Sequence, residues 1–250
     1  FFKDLNISKP KYNLNVGSGS HAVQTAKMMV EFEKICIKEK PDAVVVLGDI
    51  NSTIAAGLVA VKIGIKLVHI EAGMRSFDMT MPEEINRVLT DHISNINLCS
   101  TKTALQNLKN ENIQNGVIVG DLMYDSYLKF IEKSEEESNM LNELNLKKNE
   151  YYLMTCHRQA TTDNKDEMEL LIDSLNEINE KIVFPMHPRF KKMLNKFGFK
   201  NKLKNNIIVI DPIGYLDMMK LLSNSKIFLT DSGGVQKEAF FAKVPCITLR

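Results

Sequence analysis

Short apolar runs alternate with longer amphipathic segments along most of this 250-residue chain. This alternation is typical of parallel β-α-β units, in which helices connect buried strands. In the first half, the apolar runs predict strands at 43–48, 66–70, 96–100 and 116–120. The amphipathic segments predict helices near 22–39, 52–63, 82–95 and 101–111.

The predicted helix at 82–95 has a well-marked beginning. Pro82 suits the first helical position, and Glu83 and Glu84 complement the positive end of the helix dipole. Its apolar residues share one stripe, which predicts an amphipathic helix. The stripe consists of Ile85, Val88, Leu89 and Ile93.

The pattern changes after Gly120, where the segment 131–150 is polar, highly charged and only weakly periodic. We interpret 123–150 as a linker with a connecting helix, between domains at 1–122 and 151–250. Strand and helix signals then resume. The second set of predicted strands lies at 151–156, 181–186, 206–210, 226–230 and 245–249. The predicted fold class is α/β, with two doubly wound parallel-sheet domains.

Composition narrows the class of protein without identifying it. A hydrophobic content of 44% with 25% charged residues is typical of a globular chain and argues against disorder. The formal net charge of +1 provides no overall field that would attract nucleic acid or an anionic membrane, so neither partner is expected. An anion-binding site would therefore have to be built from local residues.

The cysteines and the apolar segments indicate in which cellular compartment the protein is expected. Cys36, Cys99, Cys156 and Cys246 lie far apart, which argues against a zinc site or a disulfide framework and favours reduced thiols in the cytoplasm. No apolar stretch approaches the roughly 18–20 residues that would cross a bilayer. The sequence begins abruptly without Met and without a signal-peptide pattern, so we expect it to be part of a longer chain.

Polar residues follow the predicted strands in both halves. Open α/β sheets bind ligands beyond the carboxyl ends of their strands, so these residues are the first candidates for a site. In the first half they are Asp49, Glu71 and Asp121. In the second half they are His157, Arg158, His187, Asp211 and the segment 231–234.

Three acids of the first half, Asp49, Glu71 and Glu83, are expected near one edge of the sheet. Closely spaced carboxylates push at least one pKa upward, so a proton donor and a base could coexist there. Taken singly, Asp49 could cap the next helix and Glu71 could satisfy backbone amides. Metal binding is disfavoured because no supporting set of ligands is visible.

The second half suggests a phosphate site. Gly233 and Gly234 lie between an apolar run and a helix, where free amides and the helix dipole favour an anion. His157, Arg158 and His187 would also suit phosphate oxygens. A tight turn capped by Ser232, or a histidine at a strand end, remains the structural alternative.

Three further charged residues have open interpretations. Glu238, one turn after Gly234, could accept the two hydroxyls of a ribose, or could be a surface residue that complements the dipole. Arg75 and Arg87 could contact a substrate or pair with neighbouring carboxylates.

Six ordered motifs match one family. The segments "VVVLGD", "HIEAGMRSFD", "MPEEINRVLTDH", "CHR", "MHP" and "TDSGGVQKEA" together resemble the non-hydrolysing UDP-N-acetylglucosamine 2-epimerases, from about residue 15 to Arg250. The resemblance implies a GT-B fold, with two Rossmann-like domains and an active site in the cleft between them. It implies interconversion of UDP-N-acetylglucosamine and UDP-N-acetylmannosamine through a 2-acetamidoglucal intermediate, with no cofactor and no metal.

The resemblance also implies roles for individual residues. Asp49, Glu71 and Glu83 match the catalytic acids, and His157 matches a histidine near the diphosphate. Glu71 and Glu83 would move the C2 proton, with Asp49 in support. The implied substrate-binding residues are Arg87, Arg158, His187, Ser232, Gly233, Gly234 and Glu238. The expected partners are a UDP-sugar and a second copy of the chain in a homodimer.

The chain departs from the family pattern in several places. Ala160 replaces a usual glutamate after the "CHR" motif, Lys237 replaces another, and Asp121 stands where asparagine is common. The usual leading strand with its G-T-R-P-E loop, and the segment that follows the last strand, are not among these 250 residues. Both domains are therefore expected to be incomplete. Three alternatives remain: a hydrolysing epimerase, an inverting GT-B glycosyltransferase and a catalytically silent UDP-sugar sensor.

Overall fold

A computed structural model describes residue 5 and residues 7–249, apart from the side chains of residues 159 and 160. The fold consists of two compact units. The N-terminal unit comprises Pro10–Leu122, and the C-terminal unit is built on Met123–Arg250. Among the described residues, no helix has the length and apolar composition needed to cross a bilayer.

The N-terminal unit contains a four-stranded parallel sheet in the order β1-β2-β3-β4. Strand order follows chain order, so right-handed crossovers place the connecting helices α2, α3 and α4 on one face of the sheet. The strands are β1 (Ala43–Leu47), β2 (Lys66–Ala72), β3 (Ile96–Cys99) and β4 (Gly116–Ile118). The helices are α1 (His21–Glu39), α2 (Asn51–Lys62), α3 (Pro82–Ile93) and α4 (Lys102–Asn110).

Local residues fix the ends of these helices. The Ser20 hydroxyl accepts the amide of Val23 at the start of α1, and the Thr101 hydroxyl accepts the amide of Ala104 at the start of α4. Pro82 occupies the first turn of α3, as predicted. The helices are therefore positioned by their own sequence signals before packing adds to their stability.

Helix α3 presents mainly polar side chains to the interior. Its buried residues are Glu84, Asn86, Thr90 and Asp91. Two members of the predicted apolar stripe, Ile85 and Leu89, are 40% and 49% exposed. The apolar stripe is therefore partly exposed, because the inward face of α3 hydrogen-bonds the loops at the carboxyl edge of the sheet.

The C-terminal unit contains a five-stranded parallel sheet in the order β7-β6-β5-β8-β9. The strand order reverses direction between β5 and β8, and separate hydrophobic clusters cover the two faces of the sheet. The strands are β5 (Tyr151–Thr155), β6 (Lys181–Pro185), β7 (Ile207–Ile210), β8 (Ile227–Thr230) and β9 (Cys246–Thr248). This unit is doubly wound, with its topological switch point between β5 and β8.

The helices of the C-terminal unit lie between and around these strands. They are α5 (Leu122–Glu137), α6 (Met140–Glu143), α7 (Gln159–Thr162), α8 (Lys165–Glu177), α9 (Pro188–Lys196), α10 (Tyr215–Ser223) and α11 (Gly233–Phe241). A short 3-10 helix spans Lys200–Lys202. Helix α5 covers much of the predicted linker and is attached to α10, because the buried hydroxyl of Ser134 donates to the Leu216 carbonyl.

All nine predicted strands are present in the described residues, each within a few residues of its predicted bounds. The predicted α/β fold class with parallel sheets is confirmed. Apolar runs located the strands of the C-terminal sheet because hydrophobic clusters cover both of its faces. In β1 of the N-terminal unit only alternate residues are buried, and the apolar residues Val45 and Leu47 are 60% and 57% exposed.

Candidate active site

The turn after β1 and a bulge in β2 define the acidic edge of the N-terminal unit. Gly48 adopts φ +68° and is followed by Asp49. Glu71 adopts φ +69°, and the pairing of β2 with β3 shifts register between Ile70 and Ala72. A bulge re-aims the side chain of the extra residue, and a left-handed non-glycine residue carries a conformational cost. Glu71 is therefore held in an unusual conformation at the end of β2.

Two of the predicted acids share a cavity. Asp49 and Glu83 both line a space of about 270 Å³ at this edge, together with His21 and Asn51. Glu71 is not part of the described lining, but its carboxylate lies close to the turn that carries Asp49. A Cβ placed on Gly48 would lie 3.8 Å from Glu71 Oε2. All three acids thus lie at the same edge of the unit, as the strand-end argument predicted.

Arg87 bridges two carboxylates. Its Nε lies 3.1 Å from Asp49 Oδ2, Nη2 contacts the same oxygen, and Nη1 lies 2.9 Å from Glu84 Oε2. The side chain is only 15% exposed. Of the two interpretations left open by the sequence, the structure contains the carboxylate pairing; a contact between Arg87 and substrate stays a prediction.

Glu84 is a functional candidate that the sequence reasoning missed. Its buried carboxylate accepts the amides of Ser76 and Phe77, the Ser76 hydroxyl and the Arg87 guanidinium. Burial alone would raise the pKa of Glu84, but these hydrogen bonds and the charge of Arg87 outweigh it and lower the pKa. Glu84 therefore ties the loop after β2 to the start of α3. The sequence signal that could have revealed Glu84 is its spacing of seven residues from Asp91, which places both acids on one face of the helix.

Arg75 also pairs with carboxylates. Nη1 lies 2.6 Å from Asp91 Oδ2, and the guanidinium makes two bonds with Glu111, at 2.6 and 2.7 Å. Its side chain is 1% exposed. Arg75 is thus a buried structural cation, and this settles the alternatives left open for it by the sequence.

In the C-terminal unit, the residues after β5 and β8 meet at the switch point. Asp231, fully buried after β8, accepts the amides of His157 and Arg158 on Oδ2, each at 2.7 Å. Its other oxygen lies 3.0 Å from His157 Nδ1. The His157 side chain remains 46% exposed. The sequence marked Asp231 only as a strand-end residue, whereas the structure makes it the anchor of the "CHR" segment.

At the start of α11, the segment Ser232–Gly234 leaves backbone amides without helical hydrogen bonds. Ser232 occupies the N-cap position of α11, but its hydroxyl makes no capping bond. The amide of Gln236 donates to the Ser232 carbonyl at 3.2 Å, so the amides of Gly233 and Gly234 precede the first bond of the helix. A Cβ on Gly233 would meet no atom within 4 Å, and one on Gly234 would meet only Met123 Cε at 3.9 Å. Such an approachable amide pair suits an anion.

His187 is the N-cap residue of α9, the helix that follows β6. Its Nδ1 accepts the Arg189 amide at 3.2 Å, which places its proton on Nε2. His187 therefore has the structural role that the sequence left open, that of a histidine at a strand end. Its ring nevertheless lies near His157, with centroids 6.0 Å apart, and the residue is exposed. The proton on Nε2 can still donate to a ligand.

Glu238 is partly buried beside Tyr215. Burial raises the pKa of Glu238, and a hydrogen bond from the Tyr215 hydroxyl partly opposes that rise. Burial and the neighbouring carboxylate raise the pKa of Tyr215 to about 12. Glu238 is therefore not a surface residue that only complements the helix dipole, which was the alternative left open by the sequence. Tyr215 was missed because nothing in the sequence links it to a residue 23 positions later.

Comparison with known proteins identifies the family. The family model described as UDP-N-acetylglucosamine 2-epimerase matches residues 1–250. The chain belongs to this family. The predicted family resemblance is thereby confirmed.

Similar proteins include archaeal and bacterial members. A UDP-N-acetylglucosamine 2-epimerase homolog of Methanococcus maripaludis is 55% identical over all of this chain and 71% of its own length. A UDP-2,3-diacetamido-2,3-dideoxy-D-glucuronate 2-epimerase of Pseudomonas aeruginosa is 44% identical over all of this chain and 70% of its own. A Methanocaldococcus jannaschii UDP-GlcNAc 2-epimerase, solved with UDP-GlcNAc and UDP, matches with a TM-score of 0.90 and 46% identity. The match covers all of this chain and 71% of that one.

The individual roles of the site residues in this epimerase-family chain stay predictions. The structure places Asp49, Glu71 and Glu83 at one edge of the N-terminal unit. It places His157, His187, Ser232, Gly233 and Gly234 along the carboxyl edge of the C-terminal sheet, with Glu238 one turn into α11. The predicted departure at Ala160 concerns a side chain outside the described residues. Among those residues, no group of three or more histidines, cysteines or acids is arranged to hold a metal.

Proposed function

We propose that this chain is a non-hydrolysing UDP-N-acetylglucosamine 2-epimerase that interconverts UDP-N-acetylglucosamine and UDP-N-acetylmannosamine. Family membership supports the reaction class. The observation that carries the proposal is the approachable amide pair of Gly233 and Gly234, flanked by His157 at the switch point of a doubly wound sheet. This is where α/β sheets of this kind bind phosphate-containing ligands.

The C-terminal unit would bind the nucleotide. The amides of Gly233 and Gly234, with the Ser232 hydroxyl, donate to diphosphate oxygens. Glu238 accepts the ribose hydroxyls while Tyr215 fixes its carboxyl group. The hydroxyl of Ser232 is available for this role because it makes no capping bond.

The residues around His157 would complete the diphosphate site. Asp231 fixes the backbone of the "CHR" segment through two amide bonds, and its second oxygen lies 3.0 Å from Nδ1 of the His157 imidazole. His157 and Arg158 then present positive or donor groups to the leaving UDP, and His187 donates from Nε2. Stabilising the developing charge on UDP lowers the barrier to breaking the C1–O bond.

The N-terminal unit would supply the proton chemistry. One of the acids Glu71 and Glu83 takes the proton from C2, the C1–O electron pair leaves with UDP, and 2-acetamidoglucal forms. A proton is then delivered to the other face of C2, and UDP oxygen adds back at C1. Such a sequence needs one carboxyl group to accept a proton and another to donate one, and Glu71 and Glu83 are the two acids proposed for these roles.

Asp49 would support the reaction without moving the C2 proton. Its carboxylate is fixed by Arg87, which Glu84 holds from the other side. The carboxylate of Asp49 therefore faces the cavity shared with Glu83 in a defined position. A fixed charge beside the sugar can stabilise a developing positive charge at C1.

A second candidate substrate differs only in the sugar. The Pseudomonas aeruginosa relative is named for a UDP-2,3-diacetamido-2,3-dideoxy-D-glucuronate, and it is 44% identical to this chain. The same chemistry at C2 would serve a sugar with an acetamido group at C3 and a carboxylate at C6. We also propose that the protein is located in the cytoplasm and assembles as a homodimer.

The test is incubation with UDP-N-acetylglucosamine in deuterated water, followed by NMR of C2. We expect deuterium at C2 and a mixture of the gluco and manno UDP-sugars. Free N-acetylmannosamine with UDP would indicate a hydrolysing enzyme, and unchanged substrate would indicate a sensor or a transferase. A parallel incubation with the diacetamido glucuronate substrate distinguishes the two candidate sugars by their exchange rates.

A further inference from the structure

A buried chain of ionisable side chains crosses the N-terminal unit, and none of its members has a role in the reaction proposed above. It runs from Glu111 through Arg75 and Asp91 to His69. The side chains of Arg75, Asp91 and His69 are each at most 1% exposed. Burying charge is costly unless every group is paired, so the sequence maintains an expensive arrangement at this place.

His69 makes two bonds that fix its ring. Nε2 lies 2.8 Å from the Gly48 carbonyl, and Nδ1 lies 2.7 Å from Asp91 Oδ1. A carbonyl can only accept, so Nε2 carries a proton, and a second proton lies in the contact between Nδ1 and Asp91. The ring cannot rotate without breaking both bonds.

Asp91 is fixed in turn on its other oxygen. Oδ2 accepts the Gly73 amide at 3.1 Å and the Arg75 guanidinium at 2.6 Å. Arg75 is anchored by both oxygens of Glu111. The position of the His69 ring is therefore determined by elements on three sides, namely α3, the loop after β2 and the end of α4.

The chain ends at the turn that carries one predicted acid and beside the bulge that carries another. Gly48, the acceptor of the His69 proton, immediately precedes Asp49, and its own amide donates to the Ile70 carbonyl at 3.1 Å. Glu71 follows His69 by two residues, and its Oε2 would lie 3.8 Å from a Cβ placed on Gly48. His69 thus connects the backbone positions of Asp49 and Glu71.

We propose that His69, held by Asp91, is a positioning residue that sets the geometry of Asp49 relative to Glu71 through its bond to the Gly48 carbonyl. The inference rests on the proposed function. A misplacement of about 1 Å can cost on the order of 100-fold in rate, so a single bond at this turn is able to control turnover.

Two substitutions separate the two bonds of the ring. In His69→Gln the side-chain amide can take the place of Nε2 and still donate to the Gly48 carbonyl, whereas the bond to Asp91 is lost. In His69→Asn the shorter amide takes the place of Nδ1 and keeps Asp91, whereas the bond to Gly48 is lost. His69→Gln loses the bond to a charged acceptor and His69→Asn loses the bond to a neutral carbonyl, so we expect the larger loss of thermal stability in His69→Gln.

The activity readout is the rate of C2 deuterium exchange as a function of UDP-sugar concentration. We expect kcat to fall about 100-fold in His69→Asn and less than about 10-fold in His69→Gln, with KM changed little in either. Equal losses of kcat in the two variants, or kcat within threefold of wild type in both, would overturn the inference. A control, Val59→Ala in the core of the same unit, should lower stability without changing kcat.

Two further results keep this inference separate from the proposed function and from misfolding. Wild-type protein without C2 exchange would refute the proposed function and the inference with it, whereas active wild type with unaffected variants would refute the inference alone. If a variant does not fold, NMR of the wild type decides. We expect a slowly exchanging Nε2 proton on His69 with a coupling across the hydrogen bond to the Gly48 carbonyl, and a rapidly exchanging proton there would overturn the inference.

Discussion

Replacing Glu84 by glutamine perturbs the most heavily bonded carboxylate near the acidic edge. Oε2 accepts the Ser76 amide, the Ser76 hydroxyl and Arg87 Nη1, at 2.9 to 3.0 Å, and Oε1 accepts the Phe77 amide at 3.0 Å. Glutamine offers one oxygen. If that oxygen replaces Oε2, the new NH₂ group faces the Phe77 amide, and two donors then oppose each other.

The expected cost can be worked from these contacts. A donor left without its partner costs about 1–3 kcal/mol, and bonds to a charged acceptor contribute about 1.5–3 kcal/mol each. Removing one partner of a buried ion pair costs about 3–5 kcal/mol, but Arg87 retains Asp49 and so loses less. We therefore expect Glu84→Gln to lower the free energy of unfolding at pH 7 by about 2–4 kcal/mol.

The pH dependence provides a second, independent signature. The folded-state pKa of Glu84 is lowered, so the stability it contributes is present above its unfolded pKa of about 4.3 and is lost as the pH falls through the folded value. The difference between wild type and Glu84→Gln should be constant above about pH 5.5 and should shrink in acid.

Urea unfolding at a series of pH values measures both quantities. Glu31→Gln, which removes an exposed pair with Lys34, is the matched control and should leave the unfolding free energy within error. The reasoning fails if Glu84→Gln is less than about 0.5 kcal/mol below wild type at pH 7, since surface substitutions change stability by that much. It also fails if the difference stays constant down to pH 3.

Three further predictions concern the glycines and the ribose site. Gly73→Ala should destabilise the protein by about 2–5 kcal/mol in urea unfolding, because φ is +75° and a Cβ would lie 2.2 Å from the Ala104 carbonyl oxygen. Gly233→Ala should leave the melting temperature unchanged or higher but weaken UDP binding in calorimetry at least tenfold, because the new methyl group enters open space; unchanged affinity would contradict the phosphate site. As the pH is lowered, the affinity of the wild type for UDP should begin to fall at a pH above the usual glutamate range. The reason is that Glu238, the ribose acceptor, has a raised pKa and is therefore protonated at a higher pH than an ordinary glutamate. Glu238→Gln should bind more weakly and lack that acid dependence.

The sequence predicted the parts of the fold that depend on local pattern. Apolar runs such as 181–186 located strands because both faces of a parallel strand are covered. The ends of those strands then located the acidic edge and the switch-point residues, since parallel strands present their carboxyl ends at one edge. No knowledge of tertiary contacts was needed for either step.

The misses share one physical origin. Helix α3 has an inward polar face that its apolar stripe does not reveal, and His69 lies inside an apolar run that does not distinguish it from its neighbours. Whether a polar side chain can be buried depends on its partners, and the partner of His69 lies 22 residues away. A single sequence does not reveal such pairs.

The predicted linker shows the same limit. The charges at 131–150 led to the prediction of a linker with a connecting helix, and they did not reveal that Glu135 bonds to Lys220, Ser223 and Asn224 or that Ser134 is fully buried. A charged segment is solvated only if no complementary surface lies opposite, and here α10 with the residue after it provides one.

Comparison of C2 exchange in wild type and in Glu71→Gln, with UDP affinity measured calorimetrically on the same samples, tests the central claim most directly. Removing the proton carrier alone should reduce deuterium incorporation at C2 at least about 1,000-fold while UDP affinity stays within about twofold of wild type. Wild-type exchange rates in Glu71→Gln, with UDP still bound, would show that this acid does not move the C2 proton.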